Sequence, residues 1–313
     1  MTEVRNDPLL GKIYASLDQS EITYQVLLEE SLKADVIYLG ENHNNKIHHQ
    51  YQLQIVQDFI DQGKRPRIGF EFFSVDQTGY LMSFVTQQSS GPHGKDEKQA
   101  EIQLRQNLGW QDRPELTWQF YFRLIKQASE NGLTVFGADL PNGIIRRLTR
   151  NGVDELNAVE RGLLKSTNME DEAYQSLMIG KFKEAHCGFA QPKMMEKMYQ
   201  TWLERNDAMA HSIAAIHKEF PQEPIIVIIG SGHVEHNMGV YDRVKHHIPD
   251  IKQLNLGLME ITIKPSGLQE YFSLEKEGER VFLPAHEYVW FTQRSSYEDP
   301  CEKFREMLKR MKQ

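Results

Sequence analysis

"VIYLGENHNN", residues 36–45, decides how the rest of the chain is read. An apolar run, Val36 to Leu39, stops at Gly40 and is followed by Glu41, His43 and three asparagines. A short apolar run closed by a glycine is the pattern of a strand buried on both faces. The polar cluster after it reads either as a turn with a helix cap or as one wall of a site. One such junction does not decide between the two, so the other strand ends must.

Working outward, further runs of the same kind are "RIGFEFF" (67–73), "LTVFGADL" (133–140) and "PIIVIIGSGH" (224–233). "KQLNLGLMEITI" (252–263) and "AHEYVWFT" (285–292) extend the series. Helical spacing fills the gaps between them. Ile47, Tyr51, Ile55 and Phe59 recur every four residues, with Asn44 or Asn45 as cap and Gly63 as stop. A helix starts at Pro141 and ends before Gly152, another covers about 116–131, and the longest runs from about Lys193 to Phe220. Strands alternating with helices predict an α/β fold: a central, largely parallel sheet flanked by helices. The stretch 141–220 shows helical patterns and no strand, which predicts a helical insertion over the carboxyl ends of the strands. The expected layout is one domain over 1–313. Its sheet core spans about 7–140 and 222–295, and a C-terminal helix covers about 297–313. Residues 87–100, polar and containing Gly-Pro, read as a loop.

Composition narrows the function. A net charge of −8 without long runs of one sign argues against nucleic acid as the main partner. No apolar stretch approaches the roughly 18 residues of a membrane span. The start, "MTEVRNDPLLGKIY", lacks a signal-type apolar segment, so the expectation is a cytoplasmic protein. Cys187 and Cys301 lie far apart in no CxxC pattern, which argues against a disulfide framework or a cysteine zinc site. Cys187 reads as a free thiol. His48, His49, His236, His246 and His247 read as helix-surface or loop residues, with the 48–49 pair alternatively at a cleft mouth.

The strand ends repay comparison. The first ends in Glu41 and His43, the second carries Glu71 within an apolar run, the third ends in Asp139, and the fourth ends in Gly-Ser-Gly before His233. In an open parallel sheet all carboxyl ends share one edge, where ligands bind. Glu41, His43, Glu71, Asp139 and His233 suit a divalent metal through imidazole and carboxylate donors. They equally suit acid–base chemistry. Glu71 weighs most, because a buried carboxylate costs several kcal/mol unless paired.

With these motifs in hand the chain resembles the ChaN-like haem-binding proteins, in the wider group of Tiki, TraB and erythromycin-esterase-like proteins. "DPLLGKIYASLDQSEIT" (7–23), "ADVIYLGENHNNKIHHQYQLQIV" (34–56), "RIGFEFFSVDQ" (67–77) and "IIVIIGSGHVEHNMGV" (225–240) carry the likeness in order. The resemblance covers about residues 7–262. It implies haem binding, commonly in a homodimer, with a role in iron acquisition or haem handling. Family members are often membrane-anchored lipoproteins, but no lipobox cysteine is present here. The resemblance further implies that a tyrosine holds the haem iron. Tyr199 is the candidate, on a helix face shared with Leu203, Asp207 and His211; His186 and Tyr174 are further candidates. For the Tiki and esterase branches the same motifs imply a divalent-metal-dependent hydrolase, with Mn, Zn or Fe as metal. There Glu41, His43, Glu71 and His233 would be the catalytic residues.

Overall fold

The computed structural model describes residues 7–88, 96–189, 191–263, 267–299 and 301–302. The strands are β1 (Ile13–Ala15), β2 (Ser20–Ile22), β3 (Val36–Glu41), β4 (Arg67–Ser74), β5 (Val135–Asp139), β6 (Ile225–Gly230), β7 (Gln253–Glu260), β8 (Lys276–Glu277), β9 (Arg280–Val281) and β10 (Tyr288–Thr292). Eight form one sheet in the order β2-β1-β10-β7-β3-β6-β4-β5, while β8 and β9 make a separate ribbon. From β10 to β5 every pairing is parallel; β1 and β2 add an antiparallel edge. The helices are α1 (Tyr24–Ser31), α2 (Lys46–Asp61), α3 (Thr78–Gln88), α4 (Asp96–Asn107), α5 (Glu115–Glu130), α6 (Asn142–Asn151), α7 (Ala158–Arg161), α8 (Glu172–Ala185), α9 (Pro192–Glu219), α10 (Val240–His247) and α11 (Leu268–Tyr271).

The six strands and four of the five helices expected from sequence are present, within a few residues of their expected ends. Asn45 caps α2 through its side-chain oxygen on the Ile47 amide, and Gly152 closes α6 at φ 95°. Strands β1 and β2 were not foreseen, because three residues are too few to show a period. The 87–100 loop is shorter than expected, since α4 begins at Asp96; residues 89–95 lie outside the described residues. So do residues 300 and 303–313 of the expected C-terminal helix.

The pleat divides the core into two layers. Ile37 and Leu39 of β3, Ile68 and Phe70 of β4, and Ile226 and Ile228 of β6 face α2, α3 and α5. Val36 and Tyr38, with Ile225, Val227 and Ile229, face Met209 and Ile213 of α9 and Val240 and Val244 of α10. Alternation with period two sends successive side chains to opposite layers. Both faces are covered, which explains the unbroken apolar runs.

The cysteine reading is corrected. Cys187 and Cys301, 114 residues apart, are joined in a disulfide, with their Cα atoms 5.6 Å apart. Sequence distance misled, because the chain returns from β10 to the α8–α9 connection. Among the described residues no helix is long and apolar enough to cross a membrane.

Candidate functional site

At the carboxyl edge of the parallel strands lies a cleft of about 540 Å3 lined by residues from β3, β4, β6, β7 and α9. The pleat sends its two principal carboxylates to opposite faces. Glu41 continues the Ile37–Leu39 row and points toward α2 and α5. It accepts from the Tyr121 hydroxyl at 2.6 Å and from Gln52 Nε2 at 2.5 Å. His43 Nδ1 lies 3.1 Å from its Oε1 and His49 Nδ1 3.3 Å from its Oε2. Glu71 alternates with Phe70 and so faces α9. It accepts from Arg205 Nη2 at 2.7 Å and from the Gly230 amide at 2.6 Å, with His233 Nε2 at 3.1 Å.

Asp139 joins the second cluster rather than capping α6. Its Oδ2 accepts from Arg205 Nε at 2.7 Å and its Oδ1 from the Leu140 amide at 2.7 Å. One guanidinium thus ties the ends of β4 and β5 to the insertion helix. His233 is stacked on the Trp202 indole, ring centroids 3.8 Å apart, and its Nδ1 sits 2.6 Å from Asn206 Oδ1. The five strand-end residues therefore share an edge but not an ion-sized centre. Among the described residues no group of three or more His, Cys, Asp or Glu side chains is arranged to hold a metal ion.

Two glycines seat imidazoles on the sheet edge. A Cβ at Gly230 would lie 2.7 Å from the His43 ring, and one at Gly257 would lie 2.1 Å from the ring of His286. His286 Nδ1 lies 2.8 Å from Asn255 Oδ1, and burial pushes its pKa down to about 4, so it is neutral near pH 7. His43 behaves differently. Burial opposes its charge, but the hydrogen bond to Glu41 and the fields of Glu71 and Glu41 outweigh that and raise its pKa. Its side chain is 43% exposed, which makes it the accessible imidazole of the pair on Glu41.

Burial alone would raise the pKa of Glu71, yet the charges of His233 and Arg205 and the hydrogen bond with His233 hold it well below the usual carboxylate range. Burial pulls the His233 pKa below its ordinary value, and the charge and hydrogen bond of Glu71 oppose that pull. A depressed carboxyl stabilises the fold above its unfolded pKa, and that contribution is lost as pH falls through the folded value. The acid limb of a stability–pH profile is therefore expected to be shallower in Glu71→Gln than in the parent below about pH 4.5. Parallel limbs in denaturant titrations would show that Glu71 is not the linked group.

The haem-ligand candidates lie elsewhere. Tyr199 and Tyr174 belong to an apolar cluster with Leu177, Met178 and Phe282, and both are buried. Tyr174 accepts from the Trp202 indole N–H at 3.1 Å, and burial pushes Tyr199 up to about 12. His211 is exposed with its ring 5.8 Å from that of His247, while the half-buried His186 holds Nδ1 2.8 Å from the Phe182 carbonyl. None of the four lines the cleft.

His48, His49 and His236, read from sequence as surface or loop residues, are buried. His48 accepts from the Asn42 amide, and His49 stacks on Phe120 at 4.2 Å. Sequence reasoning also missed Arg205, Trp202, Asn206, Tyr121 and Gln52. The first three share α9 with the apolar stripe that defined the helix, and their spacing, Trp202 to Asn206, was a readable i,i+4 pair.

Comparisons with known proteins follow from this geometry. A family model described as "Haem-binding uptake, Tiki superfamily, ChaN" matches residues 27–244. No curated protein matches the sequence. Among solved structures, the chain is similar to one titled "Cofacial heme binding to ChaN of Campylobacter jejuni". That likeness has a TM-score of 0.65 and 16% identity, and covers 89% of this chain and 95% of that one. An erythromycin esterase mutant in its open conformation is similar at a TM-score of 0.45 and 12% identity, covering 79% and 77% of the two chains. At 16% identity the first of these likenesses speaks to the fold alone.

Proposed function

Because the chain belongs to the haem-binding ChaN family of the Tiki superfamily, with 27–244 matched, we propose that it binds haem and serves in haem handling. The family match is the observation that carries this reading. The donor chemistry of the cleft supports it. An imidazole whose second nitrogen is fixed by a carboxylate is a well-adapted ligand for iron, and His43 on Glu41 has that form. Haem, when bound, would supply an iron centre. His43 Nε2 would be the donor, Glu41 would fix the ring and raise its basicity, and Trp202, Leu258 and Met259 would offer apolar surface. Tyr199 fits less well, because a buried phenol with a raised pKa resists forming the phenolate that iron binds.

Titrating the purified chain with haemin and following the Soret band tests both parts. The parent should give a saturable shift. His43→Ala should abolish it, Glu41→Gln should weaken it by about 10–100-fold, and Tyr199→Phe should leave it unchanged. A featureless response from the parent would remove the haem reading. Loss of the band in Tyr199→Phe but not in His43→Ala would move the ligand to the tyrosine.

A further inference from the structure

A second, smaller cavity of about 220 Å3 lies between α2 and α5, separate from the cleft in its lining residues. Leu53, Leu116 and Phe120 give it apolar walls, and Lys46 and Arg123 stand at it as cations. Among the described residues no carboxylate lines it. Both cations are exposed, and neither has a hydrogen bond or ion pair among the described residues. Most other cations near the site are spent: Arg205 on Glu71 and Asp139, Lys181 on Glu235 and Glu275, Arg243 on Asp207.

The place of Lys46 is informative. It is the first residue of α2, and the first turn of that helix carries no acidic residue. The N-terminal end of a helix is positive, so a lysine there is disfavoured. An anion in the cavity would be attracted by both the lysine and the helix end and would offset that repulsion. The cavity is below the roughly 300 Å3 of a drug-sized pocket, which limits the occupant to a small body.

We propose that this cavity is a binding site for a small amphipathic carboxylate, its apolar body against Phe120, Leu53 and Leu116 and its anionic head between Lys46 and Arg123. One lining residue, His49, relates it to the cleft. His49 lines the cavity, stacks on Phe120, and holds its Nδ1 3.3 Å from Glu41 and its Nε2 3.1 Å from the His43 carbonyl oxygen. An occupant touching His49 therefore acts, through Glu41, on the imidazole that faces the cleft.

The test uses the full chain without haemin, so it stands apart from the haem reading. Calorimetric titration with benzoate should show binding at or below about 1 mM. Benzamide, the neutral isostere, should bind at least tenfold more weakly. Lys46→Gln with Arg123→Gln, two exposed positions whose loss spares the core, should weaken benzoate at least tenfold. Proton NMR should show the His49 ring signals moving with benzoate in the parent. Equal binding of benzoate and benzamide would overturn the proposal, as would no detectable binding. So would benzoate affinity that survives the double substitution, or His49 signals that stay fixed at saturation.

Discussion

Replacing Glu71 by alanine is expected to cost about 3–5 kcal/mol of unfolding free energy, the range for breaking a buried ion pair from one side. Glu71 is 5% exposed, accepts from Arg205 and the Gly230 amide, and lies 3.1 Å from the His233 ring. Without it the Gly230 N–H has lost its acceptor in a dry setting, a cost of about 1–3 kcal/mol by itself. Arg205 would keep Asp139 but lose half of its compensation. Glu71→Gln retains the shape and one acceptor, so its cost should be clearly smaller. Urea unfolding of the two variants beside the parent measures both. Equal costs for alanine and glutamine would mean that charge rather than shape holds this end of β4. A cost below about 1 kcal/mol for alanine would show that water reaches the cluster and screens it.

The second large effect concerns the Cys187–Cys301 bridge. A cross-link between residues 114 apart limits the unfolded chain. The chain-entropy account assigns a loop of that size about 4–5 kcal/mol, and removal of native bridges typically costs about 2–5 kcal/mol. Cys187→Ser with Cys301→Ser is therefore expected to lower the urea midpoint strongly, and reductant should do the same to the parent while leaving the double variant untouched. The bridge fastens the segment after β10 to the α8–α9 connection, so the loss should appear first as easier proteolysis of that segment. Identical midpoints for parent and variant would exclude a stabilising role.

How far the sequence could be read follows from the period of each signal. The parallel strands were legible because burial on both faces leaves an unbroken apolar run, as in Val36–Leu39 and Ile225–Ile229. Glu41, Glu71, Asp139 and His233 were legible as edge residues for the same reason: a charge that interrupts or ends such a run is conspicuous. Which face each takes is a matter of the pleat, and counting from Phe70 to Glu71 would have separated Glu71 from Glu41 in advance. Arg205 was hidden because an arginine within a 28-residue helix is ordinary, and only the fold aims it at β4 and β5. Tyr199 was chosen for its helical face. Tyr199 and Leu203 pack on α8 while Asp207 pairs with Arg243, since a row at four-residue spacing shows that side chains align but not what they meet. The disulfide was out of reach because contact between distant segments leaves no mark in local spacing.

Gly230 and Gly257 have a consequence for how any ligand is received. Each leaves just enough room for one imidazole to lie on the backbone, and the ring above it is held from the other side, His43 by Glu41 and His286 by Asn255. Their orientations are thus decided before a ligand arrives, and little rotamer entropy of the order of 0.5–1.5 kcal/mol per side chain remains to be lost on binding. A methyl group at either glycine would hand that freedom back. The order of this sheet edge is in part a property of two missing carbon atoms.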